Sequence, residues 1–182
     1  MQQTIKKHIF LTGFMGSGKS TIGKKLARRM SRQFFDADDE IEEKTGKEIK
    51  DIFAEEGETA FREYEQEAVA RIAALPKPTV ISLGGGALIS EKNLLLVKQS
   101  GYLIYIKSSA EEIWKRIRHS TRRPLLRHEN QSWSKEDYVR RIAELLLQRE
   151  HGYQKADLII DRDGKEADEV ADLLYKKLKS IN

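Results

Sequence analysis

The chain has 182 residues, 33 Lys and Arg against 29 Asp and Glu for a net charge of +4, and no cysteine. Length alone points to one domain, and a 39% apolar content suffices for a single core despite a charged fraction of 34%, above the usual ~25%. The missing cysteines exclude disulfides, thiol catalysis and thiolate-held zinc or iron–sulfur clusters. No apolar run approaches the ~18 residues of a membrane span, and no block of five like charges suggests a nucleic-acid arm. The expectation is a soluble, cytoplasmic, monomeric domain over residues 1–182, partnered by neither membrane nor nucleic acid.

In chain order, strand patterns fall at 8–12, 33–35, 79–83, 102–106 and 158–160. Several are near-continuous apolar runs, as in parallel strands buried on both faces. Helical periodicity predicts helices over 19–30, 91–99, 110–118, 135–150 and 165–178, with a longer helical cluster over 39–74. This alternation predicts an α/β fold with a parallel sheet between two helical layers. About 40 residues between the second and third strands exceed one crossover helix, and Gly46 reads as a C-cap inside them. Residues 120–133 are polar and arginine-rich with little helical period, and read as a flap.

The first strand runs into Gly13-Phe14-Met15-Gly16-Ser17-Gly18-Lys19-Ser20-Thr21, a full G-x-x-x-x-G-K-[ST] match between a buried strand and a helix. Its glycines let backbone amides turn inward around phosphate oxygens, and the helix N-terminus adds partial positive charge. Lys19 is placed for the β- and γ-phosphates, and the Ser20 hydroxyl for Mg²⁺. Gly16, Ser17, Gly18 and Thr21 complete the ATP cradle. No N-K-x-D segment reads guanine, and the third strand ends in Gly84-Gly85-Gly86 rather than an acid. A small-molecule kinase is the resulting expectation.

Asp36 and Asp38 close the second strand, where the crevice of an open α/β sheet lies. One carboxylate there can hold water on Mg²⁺ and another can take a proton from an attacking hydroxyl; an acidic first helical turn is the alternative. Gly84, Gly85 and Gly86 allow close approach of a ligand, or form a plain turn. Arg62 and Arg149 can clamp a carboxylate with bidentate geometry, or stand as solvated helix arginines. Arg116, Arg118, Arg122, Arg123 and Arg127 lie in or next to the flap, and one of them can close over the phosphates. His8, His119, His128 and His151 show no metal spacing, and Trp114 and Trp133 read as packing residues.

Together these residues resemble the shikimate kinase family over essentially the whole chain. The matching pieces are the phosphate loop through Ile22-Gly23, Phe35-Asp36-Ala37-Asp38, Ile49-Lys50-Asp51-Ile52-Phe53, and Gly57-Glu58 with Phe61-Arg62-Glu63. Leu83-Gly84-Gly85-Gly86-Ala87, Arg123-Pro124-Leu125-Leu126 and Arg149-x-x-x-Tyr153 complete the set. The resemblance implies a three-layer P-loop kinase fold with a five-stranded parallel sheet, a substrate-binding region near 38–66 and a lid near 118–132. It implies transfer of the ATP γ-phosphate to the 3-hydroxyl of shikimate, with Mg²⁺ as cofactor, in aromatic amino-acid biosynthesis.

Carried over by position, Asp38 binds substrate hydroxyls and acts as base or orienter, while Arg62 and Arg149 grip the carboxylate. Gly84, Gly85 and Gly86 contact the substrate through the Gly85 backbone. Lys19 and Arg123 stabilise the transferring phosphoryl, Ser20 ligates Mg²⁺, Asp36 holds it through water, and Arg116 lies at the adenine. Ala37 departs from the Ser or Thr usual between the two acids, and Lys165 is only a guess for the adenine side. Two rivals remain: a kinase for another polyol or sugar acid such as gluconate, and a nucleotide-binding module without catalysis.

Overall fold

The computed structural model describes residues 8–118 and 133–181. Five strands form one sheet: β1 (His8–Thr12), β2 (Gln33–Asp36), β3 (Thr79–Ser82), β4 (Gly101–Lys107) and β5 (Leu158–Asp161). Their order is β2-β3-β1-β4-β5, and every pairing is parallel. All five match the sequence expectation to within a residue or two.

The central strands β1, β3 and β4 are buried on both faces because helices cover both. From β1, Ile9 and Leu11 pack with Ile22 and Leu26 of α1 (Lys19–Arg29) and with Val170 and Leu174 of α8 (Ala167–Ile181). Phe10 faces the other way, into Val69 and Ile72 of α4 (Gly57–Ala73) and Leu94 and Val97 of α5 (Glu91–Ser100). At 0–1% exposure these three β1 residues bury essentially their whole side chains, each worth about 1.5–3 kcal/mol relative to exposure. Two further helices, α6 (Ala110–Ile117) and α7 (Lys135–Tyr153), pack on each other through Ile113, Ile117, Ile142 and Leu145.

The long helical cluster resolves into α2 (Ala37–Thr45), α3 (Ile49–Glu55) and α4. Gly46 ends α2 in the left-handed conformation, φ 69°, with its amide on the Glu42 carbonyl. These three helices bury a small core of their own, Ile41, Ile52, Phe61 and Ala68. The expected helix start at 39 moves to Ala37 because Asp36, the last residue of β2, caps α2 through its own side chain. The helix expected over 135–150 runs on to Tyr153, which places Arg149 in its closing turns.

The chain leaves β1 towards one sheet edge and leaves β3 towards the other, so the carboxyl ends of these neighbours flank a crevice. Such a reversal of strand order is where open α/β sheets bind ligands.

Candidate active site

The loop from β1 to α1 is built on backbone that side chains resist. Gly13, Gly16 and Gly18 have φ of 143°, 78° and 91°. A Cβ on Gly13 would sit 2.5 Å from the Ile106 carbonyl oxygen, so any larger residue would push the loop off β4. The Lys19 ammonium curls back over this loop, donating to the Gly13 and Phe14 carbonyls at 2.8 and 3.1 Å.

Three oxygens meet beside it. The Ser20 hydroxyl donates to Asp36 Oδ2 at 2.5 Å and lies 3.4 Å from Ser82 Oγ. The other Asp36 oxygen accepts the Asp38 amide at 3.1 Å. Asp36 therefore satisfies both sequence readings at once, as helix cap and as an acid beside the phosphate loop. Among the described residues no group of three or more His, Cys, Asp or Glu is spaced to cage a metal. A hydroxyl next to one carboxylate nonetheless suits Mg²⁺, which is typically held by one or two protein oxygens, waters and substrate phosphates.

The glycine triplet forms the floor of the adjoining cleft. A Cβ on Gly84 would meet Glu65 Oε1 at 2.7 Å and Asp38 Oδ1 at 2.9 Å. On Gly85 it would meet Arg149 Nη1 at 3.1 Å, and on Gly86 the Arg62 Nη1 at 2.8 Å. The bare backbone thus admits four charged side chains from α2, α4 and α7 over one small surface. Gly85 also lies beside the phosphate loop, 3.4 Å from the Gly13 carbonyl oxygen by the same measure. Its own carbonyl accepts the Tyr153 hydroxyl at 2.7 Å.

The charges on this floor are organised by burial. Arg62 donates to Glu65 at 2.8 Å and to Glu58 at 3.1 Å. Arg149, only 7% exposed, lies over the Phe14 ring at 5.0 Å. Burial raises the Glu65 carboxyl above its ordinary range against the pull of Arg62 and Arg149. Asp38 is pushed up to about 7, chiefly by burial and then by the Asp36 charge, with Lys19 opposing. Asp38 Oδ1 is buried and has no hydrogen-bond partner among the described residues. A buried carboxylate near neutral pKa is suited to accept a proton.

The cleft encloses about 650 Å³. It brings together most of the expected site: Gly16, Gly18, Lys19, Ser20, Thr21, Asp36, Asp38, Arg62, Gly84, Gly85, Gly86 and Arg149 all line it. Ser17 is buried beneath the loop rather than lining the cleft. Arg116 stands apart on α6, donating to Ser108 Oγ at 3.1 Å and Glu112 Oε2 at 3.3 Å. Lys165 lies near the end of β5, its ammonium 3.5 Å from the Asp163 carbonyl. Arg122, Arg123, Arg127 and the lid core fall outside the described residues. Glu65 was not named from sequence, while Tyr153, Phe53 and Phe61 stood in the family motifs without a role; the two phenylalanine rings lie 4.6 Å apart between centroids. The spacing of Arg62 and Glu65, one turn apart, was the available signal.

Comparisons with known proteins identify the family. The shikimate kinase family model matches residues 15–179. The shikimate kinase of Chlorobaculum parvum is 47% identical over 172 residues, covering 94% of this chain and 91% of that protein. Shikimate kinase from Acinetobacter baumannii, solved in complex with shikimate, superposes with a TM-score of 0.88 at 32% identity, covering 98% of this chain and 96% of the other. A gluconokinase from Sinorhizobium meliloti shares the fold, with a TM-score of 0.61 at 15% identity, covering 98% and 95% of the two chains. On sequence and architecture together, the chain belongs to the shikimate kinase family and is an ATP-dependent kinase acting on shikimate.

Proposed function

We propose that the cleft carries out this transfer with the residues gathered at the glycine floor, on the 3-hydroxyl of shikimate. The observation that carries the assignment is the Asp38 carboxylate oxygen, unpartnered among the described residues and set over Gly84 beside the two arginines that crowd Gly85 and Gly86. Shikimate supplies a carboxylate for Arg62 and Arg149 and hydroxyls for Asp38. Arg62 is already paired with Glu65 and Glu58, whereas Arg149 forms no ion pair among the described residues, which leaves its guanidinium for a substrate anion.

The hydroxyl oxygen attacks the γ-phosphorus in line, forming a new O–P bond while the bond to the β,γ-bridging oxygen breaks and ADP leaves. Asp38 takes the hydroxyl proton. Holding both partners in line converts a bimolecular step into a local one, and protein charge offsets the charge spread over the transferring group. Lys19 supplies that charge once it exchanges its loop carbonyls for phosphate oxygens. Arg123 would add to it from the lid, and Arg116 would lie at the adenine. Ser20, and Asp36 through water, would hold Mg²⁺, which would supply positive charge against the phosphate oxygens of ATP. A monomeric, cytoplasmic enzyme is the setting this reading assumes.

The test is ADP release from Mg-ATP by the purified protein with shikimate, with gluconate, or with neither acceptor. Release that depends on shikimate alone supports the assignment. Release with gluconate would move it to the related acceptor class, and ATP binding without release under any condition would leave a nucleotide-binding module.

A further inference from the structure

A second guanidinium lies against the phosphate loop, on the far side from the glycine floor. Arg162 directly follows β5, and its amide continues the sheet ladder by donating to the Lys107 carbonyl at 2.8 Å. The residue is 9% exposed. Its Nε is buried without a hydrogen-bond partner among the described residues and lies 3.6 Å from where a Cβ on Gly18 would sit. Gly18 is the N-cap of α1 and makes no side-chain cap, so the first amides of that helix stay available for an anion.

This cation is placed where a protein without a ligand gains nothing from it. Burial first, and the neighbouring Arg116 second, hold its ionisation below the ordinary arginine value. Arg116 is itself engaged, with Ser108 and Glu112. Glu112, Glu166 and Glu169 act on Arg162 only at a distance, and none forms an ion pair with it among the described residues. A buried, underpaired cation is unfavourable unless an anion completes it. Arg162 does not line the acceptor cleft, so the shikimate carboxylate is not that anion.

We infer that Arg162 is a further nucleotide ligand, whose guanidinium takes a phosphate oxygen of ATP at the Gly18 lip of the loop. A planar fork suits a phosphate better than an ammonium would. The inference rests on the phosphate loop binding ATP, and the experiment separates failure of one from failure of the other.

Titration calorimetry with ATP and with tripolyphosphate compares wild type and Arg162→Met, alongside Tm of each without ligand. The expected result is a Kd raised about tenfold or more for both ligands, with the shikimate KM at saturating ATP within twofold. The unliganded variant should melt at the wild-type temperature or above, since an underpaired buried cation has been removed. Should Arg162→Met not fold, Arg162→Gln supports the same comparison. Unchanged Kd values for ATP and tripolyphosphate would overturn the assignment. So would a loss confined to ATP, which would place the contact on ribose or base. Wild type that bound neither ligand would instead overturn the phosphate-loop assignment on which the inference stands.

Discussion

One carboxylate oxygen of Asp38 and one of Glu65 converge on the same point above Gly84, 2.9 and 2.7 Å from where a Cβ would lie. The two acids are unequal there. Glu65 is tied to Arg62 at 2.8 Å, whereas the Asp38 oxygen is unpartnered among the described residues. Each charge raises the proton affinity of the site, and Glu65 is one of the groups that push Asp38 upward. The tied acid balances the arginines and the untied acid is left for proton transfer.

Replacing Asp38 with Asn should lower kcat by about 10²–10⁴-fold, the usual worth of a positioned general base, while the Kd for ATP stays within twofold. Steady-state kinetics with calorimetry on the same preparation decide it. Turnover near the wild-type rate would remove Asp38 from the chemistry.

The pH behaviour has a definite sign. Asp38 must be ionised to accept a proton, and its pKa is about 7, so kcat/KM for shikimate should fall as pH drops below about 7. Stability runs the opposite way. A carboxyl raised from 3.8 to about 7 contributes stability that is fully present below 3.8 and lost as pH rises through about 7. The Tm advantage of Asp38→Asn over wild type should therefore grow across that window and level off above it. A difference independent of pH would contradict the shifted value.

Arg62→Ala and Arg149→Ala should each raise the shikimate KM. Truncating one partner of a buried charge pair costs about 2–5 kcal/mol, or roughly 30-fold and more in affinity, and the KM for ATP should not move with it. Arg62→Lys should recover little, since one ammonium cannot reproduce bonds to Glu65 and Glu58 while holding a carboxylate.

Gly84→Ala and Gly46→Ala separate the site from the scaffold. The methyl at 84 must displace the Asp38 and Glu65 oxygens, so kcat/KM should collapse, with a stability loss of about 1–3 kcal/mol. The methyl at 46 meets nothing within 4 Å but sits at φ 69°. That variant should lose about 1 kcal/mol of stability to backbone strain and keep its activity. Urea titration and initial rates on both proteins make the comparison.

Removing the hydroxyl in Tyr153→Phe leaves the Gly85 carbonyl without its 2.7 Å donor. A stability loss of about 1 kcal/mol is expected, with a several-fold rise in shikimate KM as the glycine floor loosens. An unchanged KM would show that the floor is held by its backbone alone.

How far the sequence was legible varied with the physics behind each element. The phosphate loop was plain because positive φ at Gly13, Gly16 and Gly18 restricts those positions to one residue type. The central strands were plain because burial on both faces leaves near-continuous apolar runs. Asp36 was ambiguous because helix cap and phosphate-side acid ask for the same residue at the same place, and the structure shows one carboxylate doing both. Glu65 was not legible: an acid one turn from an arginine looks like any solvated pair until tertiary packing leaves it 2% exposed. Arg162 was hidden for the same reason, since nothing in Asp161-Arg162-Asp163 announces that β5 carries the middle residue to Gly18.

The small separate core of α2, α3 and α4 has a wider consequence. Those helices, with the end of α7, supply Asp38, Arg62 and Arg149, while the loop between β1 and α1 supplies the phosphate grip. The molecule is thus an engine with an exchangeable jaw. Changes inside the insertion can retool the acceptor it receives, because the Ile41–Ile52–Phe61–Ala68 packing is not shared with the residues that clamp α1 and α8 to the sheet. Acceptor grip through Arg62 can therefore change on one scaffold, provided that Asp38, at the start of α2, keeps its place beside the phosphate loop.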